Sequence, residues 1–236
     1  MKYAVIAAGE GSRLIQEGIS TPKPLVEVDG ESLVDRLLRI FEAQGASEVV
    51  VICNGQMQEV VAHLTAVQRT CHMPLRLVVK STPSSMHSLW ELSRWLDDGP
   101  FVLTTVDTVF CETEFARFVS DFQVALKHDE VDGLMGVTDF IDDEKPLYVC
   151  TDEGMWITSF LDQCDDPRYV SGDIYGLTPK SLATLKACME RGEQRMRNFQ
   201  RALLFDGQRL KAWPFSKVLD IDHASDIQKA EAFLKV

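Results

Sequence analysis

The first half of the chain alternates short apolar runs with segments whose apolar residues recur at helical spacing. The apolar runs cover residues 3–8, 48–53, 75–80 and 101–106, and they are short enough to be buried strands. The segments 32–45, 56–68 and 86–96 are predicted to be helices, because their apolar residues fall on one face. Continuous apolar strands separated by helices predict an α/β fold with a mostly parallel sheet that helices cover on both faces.

From Val131 the pattern changes to shorter strands separated by turn residues. Predicted strands cover residues 132–137, 146–150, 155–160 and 171–177, and predicted helices cover 181–191 and 194–205. A strand at 210–214 and a helix from about Ser225 follow, with Ser225 suited to the N-cap and Asp226 to the first turn. We therefore expect a single domain over residues 1–236, with a soft division into residues 1–130 and 131–236.

Composition and charge narrow the class of protein. The 236 residues, of which 45% are hydrophobic, are enough for one sizeable core, so a second domain is not required. The net charge of −12 is spread over many short acidic stretches. This argues against nucleic acid or an anionic membrane as a partner, because both need a basic footprint. If the ligands are polyanions, a local cluster of cations must overcome the global charge.

The cysteines and the start of the chain favour a reduced, cytoplasmic protein. The six cysteines lie far apart and form no C-x-x-C pair, so the sequence suggests neither a zinc site nor a redox motif. The chain opens on the strand-like KYAVIAA without an apolar leader region, and no apolar stretch reaches membrane length. We therefore expect a cytoplasmic protein without a membrane partner, and the sequence leaves its oligomeric state open.

The segment after the first predicted strand has the composition of a phosphate clamp. Gly9 and Gly11 lack a Cβ, so the backbone can turn sharply and present successive N–H groups to an anion. Arg13 adds a planar, permanently charged fork for phosphate oxygens. Lys23 lies between two prolines that fix the local backbone, so we expect its ammonium to project from a stiff extended loop.

This segment lacks two common phosphate-binding motifs, but it resembles the opening pattern of a known enzyme family. It contains no G-x-x-x-x-G-K-[ST], and GEG at 9–11 is not followed by the third glycine of the dinucleotide fingerprint. It resembles the nucleotidyltransferases that make sugar nucleotides, namely the nucleoside-diphosphate-sugar pyrophosphorylases and relatives such as phosphocholine cytidylyltransferases. The residues that match their opening pattern are Ala7, Ala8, Gly9, Gly11, Arg13, Leu14, Pro22, Lys23, Pro24, Leu25 and Gly30.

The resemblance implies a Rossmann-like three-layer α/β/α nucleotidyltransferase fold with a mixed, mostly parallel sheet. It assigns the nucleotide to residues 1–130 and the acceptor to residues 131–236. The segment STPSSMHSLW from Ser81 stands where this family recognises the base, although it has neither glutamine nor a glycine-rich stretch. Ser84 and Ser85 can hydrogen-bond a base or a phosphate, or they can cap the helix that follows.

Two acidic positions are expected to bind a divalent metal. Asp107 follows the apolar run 101–106, which places its carboxylate at the carboxyl edge of the sheet, where ligands of open α/β folds collect. Mg²⁺ prefers a few carboxylate oxygens together with phosphates and waters, so one aspartate can be half of a site. The resemblance places a metal ligand at Asp107 and a second one in the segment LDID, where Asp222 matches better than Asp220.

The predicted acceptor end departs from the sugar branch of the family. Sugar pyrophosphorylases carry an E-K-P whose lysine holds the acceptor phosphate, but here EKP at 144–146 comes too early and FLD at 160–162 stands in its place. Lys145, Arg168 and Lys217 are the candidates to hold this phosphate. Acidic and aromatic side chains could instead bind a cationic head group. These side chains are Asp142, Asp143, Asp162, Asp165, Asp166, Tyr148, Trp156, Tyr169 and Tyr175.

The resemblance implies metal-dependent nucleotidyl transfer. The phosphate of a phosphorylated small molecule attacks the α-phosphorus of a nucleoside triphosphate, pyrophosphate leaves, and no general base is required. Lys23 would stabilise the α-phosphate region, Arg13 and the glycine loop the leaving pyrophosphate, and the two aspartates the Mg²⁺. The expected nucleotide contacts are Ala7, Ala8, Gly9, Glu10, Gly11, Ser12, Ser84 and Ser85, and the expected metal ligands are Asp107 and Asp222.

The acceptor and the base stay open at this point. A sugar 1-phosphate is the expected acceptor, and phosphocholine with CTP is the alternative. A catalytically silent nucleotide-sensing module on the same fold is a second alternative. Such a module should have lost at least one of the four charged residues of the motifs. All four are present in this sequence, namely Arg13, Lys23, Asp107 and Asp222.

Overall fold

Strands and helices alternate along residues 1–235, which the computed structural model describes. The strands are β1 Lys2–Ala7, β2 Glu27–Val28, β3 Glu31–Ser32, β4 Glu48–Cys53, β5 Leu75–Val79, β6 Phe101–Thr105, β7 Thr108–Phe110, β8 Gly133–Thr138, β9 Tyr148–Thr151, β10 Ile157–Leu161, β11 Tyr169–Leu177, β12 Leu210–Phe215 and β13 Val218–Asp220. The helices are α1 Ser12–Gln16, α2 Leu33–Ala43, α3 Gln58–Thr70, α4 Ser85–Ser93, α5 Glu112–Lys127, α6 Lys180–Glu190, α7 Met196–Phe205 and α8 Ala224–Leu234, with a short 3₁₀ helix at Lys23–Leu25.

One nine-stranded sheet runs through both halves of the chain. Its order is β10-β9-β11-β6-β1-β4-β5, and β8 pairs with both β11 and β12. β1 is parallel to β4 and β6, whereas β11 is antiparallel to β6, β8 and β9. Because β8 and β9 oppose a strand that is itself reversed, they run in the direction of β1, and β12 runs with β8. The sheet is therefore mixed and mostly parallel, as predicted.

Helices cover both faces of this sheet. Tyr3 and Val5 of β1 face a core that includes residues of α2, α3, α5 and α8. Ala4 and Ile6 face a second core, which includes residues of α4, α6 and α7. This alternation follows from the two-residue period of a strand, and it confirms the predicted three-layer α/β/α arrangement.

Several elements differ from the prediction. We assigned no helix to residues 112–127, which form α5, although its fully buried Phe115, Phe118 and Phe122 lie at helical spacing. The prediction of Ser225 as the last N-cap is wrong. Helix α8 starts one residue earlier and is capped at His223, whose N–H donates to the carboxylate of Asp226 at 2.8 Å.

Two short strands that the sequence did not predict connect distant parts of the chain. β7 and β13 pair antiparallel outside the main sheet, with Thr108 opposite Asp220. The N–H of Ile221 extends this pairing by donating to the carbonyl of Asp107 at 3.1 Å. The pairing therefore holds the turn after β6 beside the segment that precedes α8.

The thiols and the helices bear on the expected location of the protein. All six cysteines are free. Among the helices formed by residues 1–235, none combines the length and the apolar character that a membrane crossing needs.

Candidate functional site

A cleft of about 710 Å³ opens at the carboxyl ends of the parallel strands. Ala7 is opposite Cys53 and Ile6 is opposite Thr105, so the residues that follow β1, β4 and β6 meet at one edge of the sheet. We name this cavity the strand-end cleft. Every predicted site residue except Ala7 lines it, namely Ala8, Gly9, Glu10, Gly11, Ser12, Arg13, Lys23, Ser84, Ser85, Asp107 and Asp222.

The loop after β1 presents backbone donors to the cleft. Within residues 1–235, the N–H groups of Gly9, Glu10 and Gly11 donate to no other backbone group. Gly11 has a φ of +64°, and a Cβ there would lie 2.9 Å from the Cβ of Lys23, so glycine is required at this position. Successive free N–H groups in a concave loop suit an anion. Ala7 has a different place, because it ends β1 with its side chain fully buried in the core.

Four charged side chains form one network beside this loop. The Nζ of Lys23 donates to a carboxylate oxygen of Asp107 and, at 2.7 Å, to Oδ1 of Asp222. Arg13 donates to Oδ2 of Asp222, also at 2.7 Å. Lys23 is buried, with 8% of its side chain exposed, whereas Arg13 is 46% exposed. The network therefore consists of a buried lysine between two carboxylates and an arginine on the rim.

The placement of Lys23 differs from the exposed lysine that we expected on an extended loop. It begins the 3₁₀ helix Lys23–Leu25, and Pro24 is compatible with this because proline is tolerated in a first helical turn. Burial disfavours the charged ammonium, but Asp107 and Asp222 outweigh this effect and raise the pKa of Lys23 above its ordinary value. The lysine therefore stays charged in the cleft.

Local structure holds the two carboxylates in place. Asp107 lies in the turn between β6 and β7, and Asp222 lies between β13 and α8. The N–H of Asp222 donates to the carboxylate of Asp226 at 3.2 Å, so this first-turn residue orders the LDID turn. Burial raises the pKa of Asp107, but the ammonium of Lys23 lowers it more, and the net pKa lies below the ordinary value. Asp107 is therefore ionised at neutral pH.

The donor chemistry of Asp107 and Asp222 fits a hard divalent cation. Both carboxylates approach the ammonium of Lys23, so their positions already accommodate one positive charge between them. Nearby, Oδ1 of Asp220 is buried and has no hydrogen-bond partner in residues 1–235. No group of three or more His, Cys, Asp and Glu side chains in that range is arranged to hold a metal. Two carboxylates suit Mg²⁺, which completes its shell with phosphates and waters.

Serines and one asparagine line the opposite side of the cleft. Ser84 caps α4, since its Oγ accepts from the N–H of His87 at 3.4 Å, so the capping alternative holds for a residue that also lines the cleft. Sequence reasoning missed Asn54, whose Oδ1 accepts from Oγ of Ser81 at 2.5 Å and from the N–H of Gln56 at 3.0 Å. The signal was present, because Asn54 is the polar residue that directly follows the buried strand β4.

Two smaller cavities adjoin the strand-end cleft. The first, of about 210 Å³, shares Arg13 and Asp222 with the cleft, and we name it the acidic cavity after its several carboxylates. The second, of about 280 Å³, shares Ser84 and Ser85 with the cleft and includes the start of α7, so we name it the α7 cavity. Each of the three cavities shares lining residues with the other two, so they lie next to one another between the glycine loop and the C-terminal half.

A buried polar chain lines the α7 cavity. Nε2 of Gln200 donates to the hydroxyl of Tyr175 at 2.8 Å, and this hydroxyl donates to the carboxylate of Asp173. Asp173 has a φ of +52° at an irregularity of β11, where the register with β8 shifts. Burial raises the pKa of the Asp173 carboxyl to about 6, and the charge of Asp107 adds to the rise.

The three basic residues considered for an acceptor phosphate lie in different places. Lys145 lines the α7 cavity. Arg168 lies 5.0 Å from the ring centroid of Tyr169, and Lys217 lies 4.0 Å from that of Phe140. Of the aromatic residues considered for a cationic head group, Tyr175 lines the α7 cavity, but Trp156 faces Lys211.

The N-terminal part of the chain matches a known domain family, and the chain is similar to characterised nucleotidyltransferases. The MobA-like NTP transferase domain pattern matches residues 3–135. A UTP–glucose-1-phosphate uridylyltransferase from Haloferax volcanii is 25% identical over 250 residues, which cover 100% of this chain and 97% of that protein. A glucose-1-phosphate cytidylyltransferase from Salmonella typhimurium is 32% identical over 53 residues, which cover 22% of this chain and only 21% of that relative's length.

Solved structures show the same fold. The inositol-1-phosphate CTP transferase from T. maritima superimposes with a TM-score of 0.79 at 18% identity, over 99% of this chain and 96% of that one. A protein from Bacillus anthracis assigned as a glucose-1-phosphate thymidylyltransferase gives a TM-score of 0.85 at 17% identity, over 100% and 95%. These likenesses confirm the Rossmann-like nucleotidyltransferase fold. Because the family pattern covers more than half of the chain, including the glycine loop, Lys23 and Asp107, the chain belongs to the MobA-like NTP transferase domain family.

Proposed function

We propose that this protein transfers a nucleoside monophosphate from a nucleoside triphosphate to a phosphorylated small molecule and releases pyrophosphate. The observation that carries the proposal is the network of Arg13, Lys23, Asp107 and Asp222 beside a loop with free N–H donors. A sugar 1-phosphate is the favoured acceptor, and two relatives named for glucose 1-phosphate support this choice.

Binding and orientation supply most of the catalysis in this proposal. The N–H groups from Ala8 to Ser12 hold the β- and γ-phosphates, and Arg13 reaches the leaving pyrophosphate from the rim. Lys23 stabilises the charge that grows around the α-phosphorus in the transition state. The attacking phosphate is already ionised, so no side chain has to remove a proton.

An incoming triphosphate has to displace carboxylates, because both cations of the cleft already form ion pairs. Lys23 and Arg13 are both bonded to carboxylates, so phosphate oxygens compete with Asp107 and Asp222 for the two cations. We propose that Mg²⁺ is the cofactor and that Asp107 and Asp222 hold it, where it would neutralise charge on the phosphates. The cleft thus exchanges internal ion pairs for pairs with the substrate.

The proposal extends to the organisation and the location of the protein. We propose one domain with a nucleotide half before Val131 and an acceptor half after it, which the sheet shared by both halves supports. A cytoplasmic location is supported by the six free thiols.

One alternative acceptor has an observation in its favour. The acidic cavity is lined by Asp142, Asp143 and Glu144 and adjoins the charged network, so it suits a cationic head group such as that of phosphocholine, with CTP as donor. A non-catalytic nucleotide-sensing module is less well supported, because the four charged residues of the motifs are assembled in one network.

The test is a panel of four ribonucleoside triphosphates against glucose 1-phosphate, mannose 1-phosphate and phosphocholine, with Mg²⁺, read as pyrophosphate release and product mass. We expect one triphosphate to be used with a sugar 1-phosphate. Release with phosphocholine and CTP alone would select the alternative acceptor. Triphosphate binding without release for any acceptor would select the sensing module, and absence of triphosphate binding would overturn the proposal.

A further inference from the structure

We propose that Lys145 and Arg195 hold the phosphate of the acceptor in the α7 cavity, and that the floor of this cavity binds hydroxyl groups of the same acceptor. The inference rests on the proposed nucleotidyl transfer and assigns a subsite to residues outside the matching motifs. Both side chains line the α7 cavity.

Two unpaired cations distinguish this cavity, whose lining also includes the carboxyl groups of Asp143, Asp173 and Asp220. Within residues 1–235, Lys145 and Arg195 have no carboxylate within ion-pair distance, and both side chains are exposed. The third cation of the cavity, Arg197, is already paired with Asp162 at 2.5 Å. An incoming phosphate therefore gains two charge-assisted contacts here without breaking an existing ion pair.

The acidic cavity offers no comparable charge. Its Lys229 pairs with Asp142 at 2.6 Å, and its Arg13 pairs with Asp222 at 2.7 Å. Its His223 lies 2.6 Å from a carboxylate oxygen of Glu17. A phosphate in that cavity would have to compete for every cation, so the α7 cavity is the better place for the acceptor phosphate.

The segment FLD at 160–162, which stands in the place of E-K-P, cannot serve this purpose, because Leu161 replaces the lysine and an acid follows it. This acid, Asp162, accepts from Arg197 and, at 2.8 Å, from Arg201. Arg201 also donates to the carbonyl of Phe160 at 3.0 Å. These contacts neutralise the local positive charge, which leaves Lys145 and Arg195 as the free cations.

The start of α7 adds backbone donors to the same place. Arg195 is the N-cap residue of this ten-residue helix, and no side chain caps the helix by a hydrogen bond. The positive end of the helix therefore favours an anion held by the Arg195 guanidinium. Since Ser84 and Ser85 line both the α7 cavity and the strand-end cleft, a phosphate bound here lies beside the triphosphate.

The floor of the cavity calls for hydrogen-bond donors. Oε1 of Gln200 and Oδ1 of Asp220 are buried, and neither has a hydrogen-bond partner among residues 1–235. Gln200 is only 2% exposed, so its unmet acceptor is costly unless a ligand satisfies it. Hydroxyl groups can donate to these oxygens, whereas a quaternary ammonium cannot. The floor therefore favours a hydroxylated phosphate, such as a sugar phosphate, over phosphocholine.

The experiment compares Lys145→Ala and Arg195→Ala with Arg168→Ala and Lys217→Ala, two basic residues that lie over aromatic rings elsewhere. With saturating triphosphate, we expect the KM for glucose 1-phosphate to rise about 10-fold to 100-fold in each of the first two variants, as for loss of a charge-assisted hydrogen bond. The controls should keep the parental KM. All four variants should keep the parental melting temperature and triphosphate Kd, and Arg195→Lys should recover part of the loss.

Calorimetry with glucose 1-phosphate, Mg²⁺ and a non-hydrolysable triphosphate gives a readout independent of turnover. Weaker acceptor binding in Lys145→Ala and Arg195→Ala alone supports the subsite. Parental acceptor binding in both variants overturns it while leaving nucleotidyl transfer intact, and so does equal weakening in the controls. Tighter binding of phosphocholine than of glucose 1-phosphate by the parental protein overturns the assignment of the floor. Failure of the parental protein to use or bind any acceptor overturns the proposed function and the subsite together.

Discussion

The strand-end cleft and the α7 cavity are adjacent, but they treat charge in opposite ways. In the cleft, Lys23 and Arg13 are bonded to carboxylates of the same protein. In the α7 cavity, the side chains of Lys145 and Arg195 form no ion pair within residues 1–235, although Asp143, Asp173 and Asp220 also line the cavity. The cleft lies at the ends of parallel strands, whereas the α7 cavity combines an irregular antiparallel strand with the start of a helix.

The cleft is suited to hold side chains in fixed positions, whereas the α7 cavity is suited to attract an anion. Internal ion pairs fix the side chains of the cleft before any ligand arrives, so less ordering is needed when the triphosphate binds. The same pairs must be exchanged, which reduces the net gain from each phosphate contact. In the α7 cavity the exposed cations are free to attract an anion. Their side chains lose conformational entropy only when that anion binds. The comparison predicts that mutations in the cleft affect turnover most, and mutations in the cavity affect acceptor binding most.

The strongest test of the comparison is to remove the proposed metal ligands. We expect Asp107→Asn and Asp222→Asn each to lower turnover about 1,000-fold or more, because several kcal/mol of charge stabilisation depend on a bound metal. Pyrophosphate release measured across a Mg²⁺ titration checks this. The matched control is Asp98→Asn, which also loses an ion pair with a lysine, here Lys2 at 2.8 Å. Near-parental activity of either variant at low Mg²⁺ would remove that residue from the metal site.

A second test separates the two cations of the cleft. Lys23→Ala should lower kcat about 100-fold and change triphosphate Kd less, because the ammonium acts on charge that develops in the transition state. Arg13→Ala should weaken triphosphate binding and slow transfer together. Single-turnover kinetics and calorimetry measure the two quantities. An unchanged rate constant for Lys23→Ala would leave this buried lysine with a structural role only.

What the sequence revealed of the two regions depended on how local the signals are. The glycine loop, Arg13 and Lys23 lie within one short segment, so their common place in the cleft was predictable from its composition and from its resemblance to a known motif. Asp107 was predictable because it follows an apolar strand. The sequence did not show that β7 and β13 pair and bring Asp107 beside Asp222, because two three-residue strands have no periodicity to detect.

The α7 cavity was the harder region to predict. No sequence pattern singles out Arg195, since it lies at a helix start in a segment rich in arginine. Its proposed role depends on which of the neighbouring arginines form ion pairs. Arg197 is paired and Arg195 is not, a distinction that depends on the distant Asp162. Asn54 could have been found by the reasoning used for Asp107. The unpaired charge of Arg195 could not have been found in this way, because ion pairing between distant residues is a property of the folded chain.

The pH dependence of stability offers a third test, on Asp173 in the lining of the α7 cavity. Burial raises the pKa of Asp173 to about 6 in the folded protein, above the value of 3.8 in the unfolded chain. The contribution of this carboxyl to the free energy of unfolding is therefore fully present below pH 3.8, and it is lost as pH rises through 6. We expect Asp173→Asn to remove this loss. The variant should match the parental protein near pH 4 and exceed its free energy of unfolding by at most about 3 kcal/mol at pH 8. Urea unfolding at both values checks this, and an equal difference at both would contradict it.

The smallest effect concerns the two glycines of the loop, which the sequence treats alike and the structure separates. Gly11 needs glycine for protein reasons, because its φ is +64° and an added Cβ would lie 2.9 Å from the Cβ of Lys23. Gly11→Ala should therefore lower the free energy of unfolding by about 1–2 kcal/mol. At Gly9, apart from its two chain neighbours, no atom of residues 1–235 lies within 4 Å of an added Cβ. Gly9→Ala should leave unfolding unchanged and raise the Kd of the triphosphate, since its methyl would occupy space in the cleft. Equal destabilisation of both variants in chemical denaturation would show that Gly9 also serves the fold, and that less of the loop is reserved for the ligand.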